Sequence, residues 1–104
     1  MKVPFDFSTN LIFDWELSGI HEALIRQEIN LTEHAINAAG DENIQLVDVL
    51  EVILVGTPGS KDLPGNTLNR LPGINFEHRI QDGRFVRVKV AWLDGYWVVT
   101  VHTI

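Results

Sequence analysis

Residues 84–104 read RFVRVKVAWLDGYWVVTVHTI, and their pattern decides the fold. Two alternating runs flank Asp94-Gly95, a pair suited to a two-residue turn with positive φ at both central positions. That turn predicts a hairpin in which Leu93 opposes Tyr96, Trp92 opposes Trp97, Val90 opposes Val99, Lys89 opposes Thr100, Val88 opposes Val101 and Arg87 opposes His102. Side chains alternate across a strand, so Val86, Val88, Val90, Trp92, Trp97, Val99 and Val101 form an apolar face. Arg87, Lys89, Thr100 and His102 then share the other face, with Tyr96 beside the turn. Directly opposed Cβ atoms lie about 4.5–5.5 Å apart, so this is a compact basic cluster with an imidazole. A three-residue turn would scramble both faces and is rejected.

Upstream, Ile74 to Ile80 reads as a third strand. A three-residue loop, Gln81-Asp82-Gly83 with Gly83 left-handed, keeps Ile74, Phe76 and Ile80 on the valine face. It also sets Glu77 opposite Arg87 with Arg79 beside them, and Asn75 opposite Lys89. Residues 56–73, GTPGSKDLPGNTLNRLPG, read as a long Gly/Pro-rich loop, from which Lys61 and Arg70 either reach over a neighbouring site or simply face solvent.

The N-terminal half is helical. Leu11 to Gln27 has helical apolar spacing, broken or kinked at Ser18-Gly19, and Ile29 to Leu31 is a short link. Thr32 caps a brief helix over Glu33–Ala39 that stops at Gly40. A third helix, capped by Asp41 or Asn43 and ended by Gly56 and Pro58, presents Ile44, Val47, Leu50 and Leu54 on one face with Leu46 and Ile53. Gln45, Asp48 and Glu51 turn outward from it. Residues 1–10 form an arm or short edge strand. The expected fold is a single α+β domain over 1–104, with N-terminal helices packed on one face of a C-terminal antiparallel meander of three or four strands.

At 104 residues the chain is long enough to bury a core without staples. It has no cysteine, which excludes a disulfide scaffold, thiolate metal ligation and a cysteine nucleophile. Pro4, Asp6, Asp14 and Glu16 interrupt the apolar residues of the N-terminus, so neither a signal peptide nor a membrane span is expected, and the chain reads as cytoplasmic. The net charge of −6 opposes broad attraction to nucleic acid, yet it is uneven: residues 1–58 carry −8 and residues 59–104 carry +2.

Glu77, Arg79, Arg87, Lys89, Thr100 and His102 are the residue types that metal-free cleavage of RNA requires. A carboxylate can take the proton of a 2′-hydroxyl, cations can stabilise charge on the phosphoryl oxygens, and an imidazole can protonate the leaving 5′-oxygen. The same residues also describe a solvent-facing sheet with one Glu77–Arg87 ion pair. His34 is either a helix-start histidine bonded to its surroundings or a further catalytic group, while His21 and His78 have no chemical role. No two histidines have metal-ligand spacing, and no cofactor is called for. Tyr96 is the candidate for stacking on a base.

The segment LTEHAINAAG, the helix NIQLVDVLEVILVGTP and the close GRFVRVKVAWLDGYWVVTVHT together resemble DUF4258-type bacterial domains, which are similar to RNase toxins of the RelE and barnase/EndoU/colicin type. The resemblance covers about residues 31–104 and implies a metal-independent endoribonuclease acting on RNA phosphodiesters, or a degenerate relative of one. It marks His34, a basic residue at Arg87 or Lys89, and Thr100 with His102. Where that family has an arginine after the histidine, this chain has Ile36, Asn37, Ala38 and Ala39. Catalysis is thus expected of His102, Glu77, Arg87 and His34, and substrate binding of Lys89, Arg79, Thr100 and Tyr96.

The rival reading is a non-catalytic acidic module, immunity- or antitoxin-like, whose helical half binds a basic partner; the expected protein partner is then a small cognate toxin or antitoxin. The last strand, ending at Ile104, also offers an edge for pairing with a second copy.

Overall fold

In the computed structural model, which describes residues 3–65 and 71–104, the chain folds as α1 (Asp14–Ile25), β1 (Ile29–Leu31), α2 (Glu33–Asp41), α3 (Leu46–Val55), β2 (Thr57–Asp62), β3 (Gly73–Arg79), β4 (Phe85–Trp92) and β5 (Tyr96–Thr103). The fold is α+β. Its sheet has five strands in the order β1-β5-β4-β3-β2, antiparallel except for the parallel β1–β5 pair. The expected meander is its centre, and the two extra strands come from segments read as a link and a loop.

β5 consequently lies inside the sheet between β1 and β4. The outer strands are β1 and β2, but β1 pairs with only Tyr96–Val98 of β5, and the rest of β5 has no strand on that side among the described residues.

The β3–β4 hairpin forms with the expected register, Glu77 opposite Arg87 and Asn75 opposite Lys89. Gly83 takes φ +93°, its N–H donates to the Ile80 carbonyl at 2.9 Å, and Ile80 N–H donates to the Arg84 carbonyl at 2.9 Å. Positive φ there favours glycine. The Arg84 guanidinium donates to Asp82 at 2.8 Å and holds that carboxyl below the usual carboxylate range.

The β4–β5 hairpin differs from expectation at its tip. Trp92 pairs with Tyr96, Ala91 with Trp97 and Val90 with Val98, so the turn is one residue longer than the Asp94-Gly95 pair. An irregularity after Val90 then leaves Val99 as the extra residue of a bulge, and beyond it Lys89–Thr100, Val88–Val101 and Arg87–His102 pair as predicted. The bulge changes which residues are buried near the tip. Val98 enters the core, Trp97 shares the face of Ala91, and Tyr96 turns to the covered side against Trp92 and Phe5, with ring centroids 5.1 and 6.1 Å apart.

α3 packs on β3 and β4, α1 packs on α3, and α2 packs on β5. α1 runs unbroken through Ser18-Gly19. Gly19 lets the Tyr96 hydroxyl lie against the helix, where a Cβ would make it shift. Thr32 caps α2 as expected, its Oγ1 accepting from Ala35 N at 3.1 Å, but the helix continues through Gly40 and Asp41 and ends where Asn43 turns left-handed at φ +57°. α3 is capped at Gln45 and rotated relative to expectation. Val49, Val52 and Ile53 are buried, while Leu46, Val47 and Leu54 are exposed.

The N-terminal arm is tied down by charge. Glu16, at the third position of α1, accepts from Phe13 N and Asp6 N, each at 2.8 Å. The same carboxylate pairs with Lys61 of β2 at 2.8 Å, and both side chains have 0% exposure. Lys61 Nζ also donates to the Asp6 carbonyl at 2.8 Å and lies 5.2 Å from the centre of the Phe13 ring. Removing one member of such a pair strands the other without a counter-charge. Glu16→Ala should accordingly lower stability by about 3–5 kcal/mol, read as a fall in the urea midpoint, and the Glu16→Leu/Lys61→Met double variant should recover part of it.

Candidate functional site

The face of the sheet opposite α1 and α3 carries a cleft of about 560 Å³ lined by residues of β2, β3, β4, β5 and the start of α2. Four of the predicted side chains, Arg87, Lys89, Thr100 and His102, meet there because the bulge at Val99 restores their register. His34 joins them from α2. The link is short: Thr32 N donates to the Val98 carbonyl at 3.0 Å, which pins the first turn of α2 against β5 and leaves His34 exposed at the cleft.

His102 is exposed between two anchored neighbours. Val101 is buried, and Thr103 donates from its N–H and its hydroxyl to the Glu42 carboxylate, the latter at 2.6 Å. Glu42 in the α2–α3 turn thus fixes the end of β5. Arg84 donates to the carbonyls of Glu42 and Asn43 and holds the turn itself.

Lys89 forms part of the cleft wall with its side chain only 5% exposed. Its Nζ lies 2.7 Å from Asp62 Oδ2 and donates to the Leu71 carbonyl at 3.1 Å. Asn75 Nδ2 donates to Asp62 Oδ2 at 3.0 Å and to Ser60 Oγ at 3.1 Å. The residues missed by sequence reasoning are Asp62 and Ser60, which reach the cleft only because β2 is a strand. No signal was available locally, because Ser60-Lys61-Asp62 is polar throughout and lies among glycines and prolines.

Three predicted residues take other places. Glu77 is absent from the cleft lining and grips Arg87, with its Oε2 accepting from Nε at 2.8 Å and lying 2.7 Å from Nη2. Arg79 donates to the Gly83 carbonyl at 2.7 Å and lies 4.8 Å from the Phe85 ring, so it serves the hairpin loop. Tyr96 is packed on the far side of the sheet, where burial, aided by the negative charge of Glu22, pushes its hydroxyl pKa up. Arg70 lies outside the described residues.

His21 Nε2 donates to the Ile53 carbonyl, 2.9 Å away, and joins α1 to α3; half-buried His78 pairs with Val86 on the covered face. Among the described residues no group of three His, Asp or Glu side chains is placed to hold a metal ion, and no helix is long and apolar enough to cross a membrane.

No protein-family model, curated protein or solved structure matches the chain.

Loss of the Asp62 carboxylate deprives a nearly buried ammonium of its counter-ion, moderated by the partial exposure of Asp62 itself. Asp62→Ala should cost about 1–3 kcal/mol in urea unfolding, whereas Ser60→Ala at the exposed rim should change stability by about 0.5 kcal/mol or less.

Proposed function

We propose that the cleft binds RNA and cleaves its phosphodiester bonds without a metal ion. The observation that carries this reading is the convergence of two imidazoles, His34 and His102, from different elements on a cleft that also presents Arg87 and Thr100. Imidazoles serve well as proton donors and acceptors near neutral pH. The resemblance of residues 31–104 to DUF4258-type and RelE-like domains agrees with this chemistry.

In the reaction, His34 takes the proton of the ribose 2′-hydroxyl, whose oxygen attacks the adjacent phosphorus. His102 gives a proton to the departing 5′-oxygen, so the products are a 2′,3′-cyclic phosphate and a free 5′-hydroxyl. Arg87 faces the phosphoryl oxygens. Glu77 contacts Arg87 through Nε and Nη2, leaving Nη1 as the donor for the anion. Glu77 is therefore a positioning residue, in place of the proton acceptor its sequence position suggested. Lys89, neutralised by Asp62, shapes the wall and contributes little free charge.

A fluorogenic RNA oligonucleotide in excess EDTA tests the reading. The purified protein should cut it to a cyclic phosphate and spare the all-2′-deoxy analogue. His102→Ala and His34→Ala should each lose about 100-fold or more in kcat/KM with unchanged thermal unfolding. Failure of the purified protein to cut any RNA, or equal rates in His102→Ala, would overturn it.

A further inference from the structure

We propose that the face formed by α2, α3 and β1 is a docking site for a basic amphipathic helix of another protein. This face is separate from the cleft and makes no use of its chemistry.

The exposed side of α3 is apolar. Leu46, Val47 and Leu54 are 57%, 65% and 49% exposed, and half-buried Leu50 lies between them on the same stripe. At 1.5 Å per residue the stripe from Leu46 to Leu54 is about 12 Å long, two turns of a partner helix. Beside it, sharing Leu46, is an apolar groove of about 520 Å³ whose walls include Ile29, Leu31, Ile36, Ala39 and Ile44. Ile36 is itself exposed. A continuous apolar strip of this kind, rimmed by charge, marks an interaction surface. A stripe at helical spacing next to a groove suits a helix whose anchors recur every three or four residues.

Charge selects the partner. Residues 27–60, which contain all three elements, hold Glu28, Glu33, Asp41, Glu42, Asp48 and Glu51 and no lysine or arginine. Arg84 is committed to the α2–α3 turn, and Arg26, just before this stretch, pairs with Glu22 at 2.7 Å. A second copy meeting this face symmetrically would set acids against acids. A helix with leucine-like anchors and lysine or arginine flanks satisfies both the apolar stripe and its rim.

The probe is a fluorescein-labelled 18-residue helical peptide of leucine and lysine with leucines at i, i+3, i+4 and i+7 spacing. It should bind the full chain in an anisotropy titration, weaken as salt rises, and shift backbone amide resonances of α2, α3 and β1. Replacing its lysines by glutamates, or its leucines by serines, should weaken binding at least tenfold, and so should the Leu46→Ser/Leu54→Ser protein, whose thermal unfolding should stay near that of the parent. Equal binding of the lysine and glutamate peptides, unchanged binding by Leu46→Ser/Leu54→Ser, or resonance shifts confined to the cleft would overturn the proposal. So would a concentration-dependent dimer in sedimentation that is abolished by Leu46→Ser/Leu54→Ser, which would make a second copy the occupant.

Discussion

Lys61 and Asp62 are neighbours on β2, and they point to opposite sides of the sheet. Lys61 meets Glu16 of α1 on the covered side, and Asp62 meets Lys89 of β4 on the open side. Both pairs sit largely out of water, where a lone charge is far more costly than a matched one. Sliding β2 by one residue would exchange the faces and break both pairs together. The strand is otherwise a poor one: Pro58 lacks an N–H, and Gly59 is the extra residue where the pairing with β3 shifts between Pro58 and Ser60. Charge therefore places an edge that local propensity would leave loose. It also builds the cleft's wall, since Ser60 and Asp62 line it from the same strand.

This explains why β2 was illegible and the centre of the sheet was not. β4 announces itself through Val86, Val88 and Val90, and β3 through Ile74 and Phe76, because alternation survives where one face is buried. β2 owes its place to partners 45 and 27 residues away in the chain, and no local pattern encodes them. β1 is legible neither way. Its three residues are too few for a period, and its pairing with β5 is a parallel contact to residues far along the chain.

The open-face cluster was found by a route partly wrong. A two-residue turn predicts the pairs Arg87–His102 and Lys89–Thr100; the longer turn at Leu93-Asp94-Gly95 would shift both, and the bulge at Val99 shifts them back. Strands between these two irregularities obey the other phase, which is why Tyr96 and Trp97 exchanged faces relative to expectation while His102 did not. The physical pressure is the same in both segments. Val98 and Tyr96 join the apolar cluster on one side, and Thr100 and His102 keep water on the other. α3 failed for the opposite reason. LEVILV is apolar on nearly every side, so polarity could not fix its rotation; Val49, Val52 and Ile53 went inward while Leu46, Val47, Leu54 and Val55 stayed out.

α2 belongs to both surfaces. Thr32 and His34 reach the cleft from its first turn, and Ile36, Ala39 and Gly40 border the groove along its length. Buried Ala35 and Ala39 hold the helix against the core, and the Thr32–Val98 hydrogen bond holds its start against β5. Close-packed small residues bring the helix axis near the core. The groove and the cleft thus share one helix, which carries His34. His102 is anchored separately, through Thr103 to Glu42, so the two imidazoles are held by different elements.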